Sequence, residues 1–288
     1  VSPALLLALL AAAAAAEVAP ATARPGDAVL VTVRGAGEAP SGALLGRPLR
    51  FYAAGPDRWQ ALAPLPAEAA PGAVALEVDA QGQQLAAALQ VVPADFRSST
   101  LSIPPRFLEP PASARKRIAA DGAALAAAYA QPFEPPRWHG AMARPRQAEV
   151  TGRYGDQRVY NGKVSGAHYG LDLEGRAGAP IAAAADGQVV LTRDCYMSGW
   201  TTVVWHGGGV YSVYLHQSKV EVKAGQAVRQ GQRLGQVGST GRSTGPHLHW
   251  GVKVDGLWVD PDSLTRLDVA SAPPAVEGPG VAAEAAGR

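Results

Sequence analysis

"HLHWGVKVDGLWVD", residues 247 to 260, reads as two short strands joined at an Asp-Gly turn, an antiparallel hairpin rather than a helix. Side chains alternate between faces along a strand, so His247 and His249 project to the same side, with Cα atoms about 6.5 to 7 Å apart. The pair directly follows "GSTGRSTGP", residues 238 to 246, a loop of small and polar residues. Two imidazoles on one face of a strand call for a chemical reason.

The same β signature extends outward from the hairpin. Residues 138–268 are dense in glycine and β-branched runs, among them "PIAAAADGQVVLTRD", "TTVVWHGGGVYSVYLHQ" and "VEVKAGQAVRQGQRLGQVG". Hairpin turns are expected at "YNGK", "ADGQ", "HGGGV" and "VDGL", and the absence of any long helical period makes this an antiparallel β domain. Residues 24–103 form short strands at roughly ten-residue spacing, such as "DAVLVTVRG", "RWQALAPL" and "GAVALEVDA", which predict a small β-sandwich-like domain. That domain holds no histidine, so a binding or spacer role suits it better than catalysis. Between the two, residues 104–137 carry proline pairs around "ASARKRIAADGAALAAAYAQ", where Ile118, Leu125 and Tyr129 share one face of a helix of about five turns. The fold class is therefore mainly all-β, two β domains with a linker helix expected to pack across both and to bring the first near the groove of the second. Arg115-Lys116-Arg117 reads as a solvated face of that helix.

Both ends differ from the body. Residues 1–23 hold an unbroken apolar run from Leu5 to Ala16, too short to span a bilayer but suited to a secretory signal, with cleavage expected after Ala16, Ala21 or Ala23. The protein is therefore expected to be exported, with no membrane span once mature. Residues 269–288 have too few large apolar side chains to fold and are expected to be disordered. At 47% apolar and 17% charged residues the chain is globular, and a net charge of +2 without long basic runs falls well short of a nucleic-acid footprint. Cys195 stands alone, which excludes an internal disulfide and a thiolate zinc cluster and leaves it as a packed bystander or, less simply, a thiol nucleophile.

The histidines concentrate where chemistry is expected. Of six, His168, His206, His216, His247 and His249 fall in the second β domain, and Asp172 follows His168 by four residues. A catalytic zinc site takes about three N or O ligands from converging strands plus an open position, and "HYGLD", "YLH" and "HLH" can supply them. An H-x-H pair can place both rings on one metal, or one on the metal and its neighbour beside the metal's water. Rival readings are weaker: "GRSTG", residues 241–245, matches a G-x-S-x-G nucleophile elbow, but a proline and a strand follow it instead of a helix. No H-E-x-x-H is present. His206, beside three glycines, and His139, in the linker, are expected to pack or cap turns.

Taken together, "HYGLDL", "GAPIAAAADGQVV", "VYSVYLHQ", "VKAGQAVRQGQRLGQVGSTGRSTGPHLHWGV" and "VDP" resemble, in order and over about 130 residues, the lysostaphin/LytM-type zinc endopeptidases that cleave peptidoglycan. The upstream "VTGRYGDQRVYNGKVSGAHYGLDL", after a β domain and a helix, is similar to the Gram-negative periplasmic subgroup. The resemblance implies one Zn2+ per chain held by His168, Asp172 and His249, with His216 and His247 as catalytic histidines. It implies peptide stems and cross-links of peptidoglycan as the partner, D,D-endopeptidase activity and a periplasmic location. The runner-up is a non-catalytic regulator of the same fold, an amidase activator, which would be expected to have lost some of these five residues.

Overall fold

A computed structural model describes residues 13–270 of the chain. The apolar run from Leu5 lies mostly outside the described residues, as does the tail from residue 271. The described residues are mainly β, with one long helix, Ala112–Ala128.

The first unit is a sandwich of two sheets. One is ordered Ala15–Ala19, Ala28–Arg34, Arg58–Pro64, Tyr52–Gly55, and the other Thr22–Ala23, Gln83–Val91, Gly72–Ala80, Ser41–Leu44, Arg47–Pro48. Alternation sets the inner faces: Leu76 and Val78 point in from one strand and Leu85 and Leu89 from the next, with polar or small residues between them. The two-residue loop Gln81-Gly82 closes that hairpin with both φ angles positive, the twist that flanking strands require.

"AVLVTVR", Ala28–Arg34, is buried on both faces, as a near-continuous apolar strand should be. Val29, Val31 and Val33 enter the sandwich core. Ala28 and Leu30, with Tyr52, Ala54 and Leu62, join the core of the second unit beside Val254, Val259, Leu264 and Leu267. This sheet is thus the middle layer between two cores, which locks the units together.

Two boundaries differ from the sequence expectation. The first unit begins before residue 24, because Ala15–Ala19 pairs antiparallel with Leu30–Arg34, and Ala16 and Val18 pack on the core. Small alanines that resemble a leader in composition here serve as an edge strand. The first unit also ends before residue 103: Ser98–Leu101 leaves the sandwich and pairs in parallel with Gln157–Tyr160 of the second unit.

The helix docks on the second unit. Leu125 and Tyr129 pack on the cluster of Val203, Trp205, Tyr211 and Val213, and buried Asp121 accepts from Arg193 Nε at 2.6 Å and from the Tyr196 backbone N–H at 2.8 Å. Contact with the sandwich comes after the helix, where Arg50 lies over the Phe133 ring at 4.2 Å. Arg115 and Lys116 are exposed, while Arg117 donates to the Asp194 carboxylate at 2.8 Å.

The second unit centres on an antiparallel sheet ordered Val150–Gly152, Leu171–Glu174, His247–Val254, Val210–Gln217, Gly199–Trp205, Gly187–Cys195, Ala227–Val228, with Leu257–Val259 also paired to His247–Val254. The turns at Asn161-Gly162, Gly207–Gly209 and Asp255-Gly256 close hairpins, as expected. "ADGQ" does not: the chain passes there from the small sheet holding Pro180–Ala182 to the main one, and the Asp186 carboxylate takes the Gln230 N–H at 2.6 Å.

Where the units meet, Asp260 caps the short helix Pro261–Leu264 by accepting from the Asp262 N–H at 3.0 Å. Burial pushes its carboxyl up to about 6, and the nearby Asp262 and Asp27 charges add to this against that hydrogen bond and Arg266. A raised folded pKa means the native state holds this proton more tightly than the unfolded chain does. Stability is then lost as pH rises from about 4 to about 6, and the penalty is complete above that. Asp260→Asn keeps the cap acceptor and removes the charge. The variant is expected to gain about 1–3 kcal/mol at pH 7.5 and nothing at pH 4, read by thermal melts at both pH values.

Candidate metal centre

The His247–Val254 strand alternates as its sequence requires. Leu248 and Trp250 are fully buried on the core side, and His247 and His249 turn to the other face. Asp172 is the register partner of His249 on one neighbouring strand and Leu215 is its partner on the other. Leu171 and Leu173 are buried either side of Asp172, so the carboxylate faces the histidines. His168, just past the strand Lys163–Ala167, completes the group.

His168 Nε2 lies 3.0 Å from Asp172 Oδ1 and 2.9 Å from His249 Nδ1, and His249 Nδ1 lies 3.0 Å from Asp172 Oδ1. Three donor atoms thus form a near-equilateral triangle. Ligands at about 2.0–2.1 Å from a tetrahedral zinc would stand about 3.3 Å apart, so this donor set and its size fit such an ion. The backbone orients the set: His168 Nδ1–H donates to the Arg153 carbonyl at 2.8 Å, which leaves the Nε2 lone pair facing the triangle. A Cβ at Gly170 would press on the His249 ring and the Trp250 carbonyl, so the chain can pass here only as glycine.

The other two histidines stand beside the triangle. His216 Nδ1 is bonded to the Thr240 carbonyl at 2.8 Å and His247 Nδ1 to the Gly245 carbonyl at 2.8 Å, so each donates from Nδ1 and keeps Nε2 free. Their ring centroids are 5.0 Å apart, and His247 Nε2 is 3.7 Å from Asp172 Oδ1. His216 has a φ of +61°, a strained conformation for a residue other than glycine, of the kind found where a side chain must be aimed.

Burial shapes the electrostatics. It pushes His216 down to about 3, helped by the neighbouring His247 and His249 rings, and it pushes His249 down as well against its hydrogen bond to Asp172. Burial also raises Asp172, but the adjoining His168 and His249 rings together outweigh it and hold the carboxyl well below the usual range. His249 is thus held towards its neutral form and Asp172 towards its carboxylate, the protonation states that metal ligands require.

A groove of about 490 Å³ runs over the site, with Tyr160, Tyr169, Met197 and Arg242 on its walls. Leu101 and Ile103 of the connecting segment also line it, and no residue of the sandwich strands does. The expectation that the first β domain lies near the groove is thus met only by the segment that leaves it.

Several residues do not join the site. His206 is fully buried, bonded to the Asp186 carbonyl and to Ser212 Oγ at 2.7 Å each, and burial pushes it down to about 4. His139 is exposed. Ser243 Oγ donates to the Gly245 carbonyl at 2.7 Å within a loop that leads into a strand, which is no nucleophile elbow. Cys195 is buried, and burial pushes its thiol up, the wrong direction for a nucleophile. Arg158, which donates to Asp172 Oδ2 at 2.7 Å, is a site residue that sequence reasoning missed, since no motif marks an arginine 14 positions upstream.

The model of Peptidase family M23 matches residues 166–261. The chain is 46% identical over 89 residues to the peptidoglycan DD-endopeptidase ShyA of Vibrio cholerae, covering 31% of this chain and 21% of ShyA. It is 39% identical over 97 residues to the DD-carboxypeptidase/endopeptidase Mpg of Neisseria meningitidis, covering 34% and 22% respectively. The matches thus span about a fifth of the length of these relatives. A solved Pseudomonas aeruginosa protein described as a peptidase M23 superposes with a TM-score of 0.61 at 30% identity, over 85% of this chain and 95% of that one.

Proposed function

Because the chain belongs to peptidase family M23, we propose that it is a zinc-dependent endopeptidase that hydrolyses the peptide cross-links of bacterial peptidoglycan, in particular as a D,D-endopeptidase. The observation that carries this reading is the triangle of His168, Asp172 and His249 donor atoms with His216 and His247 beside it. One zinc per chain would be held by His168 Nε2, Asp172 Oδ1 and His249 Nδ1. Bound there, it would supply the charge that polarises a scissile carbonyl and acidifies a water.

The remaining steps fall to the protein's own groups. His216 Nδ1 is tied to the Thr240 carbonyl, so its Nε2 lone pair is the acceptor that orients the attacking water and takes its proton. That proton passes from His216 to the leaving amine as the C–N bond breaks and the hydroxyl stays on the carbonyl carbon, while His247, the more open ring, is the second imidazole beside the reacting group. Apart from Asp172 of the ligand set, the groove lining carries Arg242 and Tyr160 but no carboxylate, which suits a peptide that itself bears carboxylates.

Relatives named as peptidoglycan DD-endopeptidases support the substrate, and a cell-wall substrate implies export, here proposed as periplasmic. Among the described residues no helix is long and apolar enough to cross a membrane. Retention of all five histidine and aspartate positions favours an enzyme over an amidase activator.

The test is digestion of purified sacculi and of defined cross-linked dimers, with metal analysis of the same sample. Close to one zinc per chain, conversion of dimers to monomers, and loss of both on chelation are expected. A protein that binds no zinc and leaves dimers intact would overturn the proposal.

A further inference from the structure

Asp172 uses its two oxygens differently. Oδ1 faces the triangle, 3.0 Å from both His168 Nε2 and His249 Nδ1, whereas Oδ2 accepts from Arg158 Nη2 at 2.7 Å. Arg158 is itself buried and fixed at a second point, with Nη1 at 3.3 Å from Ser99 Oγ. Ser99 is its register partner on the strand Ser98–Leu101, and the opposite pairing shifts register at Arg158/Val159, a bulge of the kind that re-aims a side chain. Gly152 leaves room for the contact, because a Cβ there would overlap both Arg158 Nη2 and Asp172 Oδ2.

We infer that Arg158 is a positioning residue that withholds Oδ2 of Asp172 from the metal, so that the carboxylate ligates through Oδ1 alone. The inference rests on reading His168, Asp172 and His249 as the ligand set. A carboxylate that is free to rotate can offer both oxygens to one ion, and the second would fill the position that a hydrolytic site must leave to water and substrate. The guanidinium prevents this because its donors lie in a fixed plane and cannot follow the carboxylate as it turns. Charge alone does not account for the geometry, since a cation anywhere near Asp172 would neutralise it without selecting an oxygen.

The test compares the wild type with Arg158→Ala, Arg158→Gln and Arg158→Lys, each loaded with cobalt as a spectroscopic substitute for zinc. Zinc affinity is measured alongside by competition with a chromogenic chelator. In the alanine and glutamine variants the cobalt visible bands are expected to weaken several-fold, the signature of a higher coordination number. Zinc should remain bound at least as tightly as in the wild type, and kcat should fall about 10- to 100-fold with KM changed less than about threefold. The lysine variant, which keeps a donor and a charge within reach of Oδ2, should recover part of the spectrum. Spectra in the alanine and glutamine variants that match the wild type would overturn the inference, and so would loss of the metal from folded variants. Should the alanine variant fail to fold, the glutamine variant answers the same question. A wild type that takes up neither zinc nor cobalt would instead overturn the ligand set itself.

Discussion

His249→Ala is expected to lose zinc and hydrolysis together. The imidazole supplies one of three converging donor atoms, and its Nδ1 touches both of the others at about 3 Å, so no neighbouring group can take its place without moving. Zinc binding to a small ligand set is worth on the order of 10 kcal/mol or more, and removal of one ligand in three should weaken it about a thousandfold. The fold should survive, because Leu248 and Trp250 anchor the strand from the opposite face. Metal analysis after dialysis and a sacculus digest read the two losses. A variant that keeps stoichiometric zinc would show that His249 is not a ligand.

His216→Ala is expected to separate what the first variant couples. His216 Nδ1 is tied to the Thr240 carbonyl, its ring centroid lies 6.3 Å from that of His249, and it stands outside the triangle. Zinc should therefore stay near wild-type occupancy while cross-link cleavage falls about 100-fold or more, the scale of a lost acid-base group. Alanine is less at home at positive φ than histidine and leaves the buried ring's space empty, so the melting temperature should fall by a few degrees with the fold retained. A His216 variant that comes out free of metal would extend the ligand set. One that cleaves at the wild-type rate would remove His216 from the mechanism.

What was legible in the sequence follows from how local each signal is. Alternation along a strand is a property of two residues, so the shared face of His247 and His249, opposite Leu248 and Trp250, could be read directly. The Asn161-Gly162 and Asp255-Gly256 turns were legible for the same reason, since the dipeptide supplies the positive φ angles that the turn demands. Arg158 was not, because its meaning depends on Asp172 across a hairpin and on a bulge that only the pairing reveals. Ser98–Leu101 was read into the first domain because its partner lies about sixty residues ahead and runs parallel, an arrangement with no turn to announce it. Ala15–Ala19 is similar: poor in large side chains, it becomes a strand only beside Leu30–Arg34.

The parallel pairing of Ser98–Leu101 with Gln157–Tyr160 also decides where the polypeptide can be divided. Gln157–Tyr160 is the middle strand of a three-stranded sheet only while the connecting segment is attached. A recombinant fragment cut at the linker's apparent end, near Trp138, would leave that strand with a bare row of amides and carbonyls. It would also strip Leu101 and Ile103 from the groove. Such a piece offers a template for intermolecular pairing and would be prone to aggregate in the test tube. A fragment begun a few residues after Val92 keeps that edge paired but bares Val254, Val259, Leu264 and Leu267, which Leu30 and Leu62 cover, so the unit to take forward for crystallisation and inhibitor screening includes the sandwich.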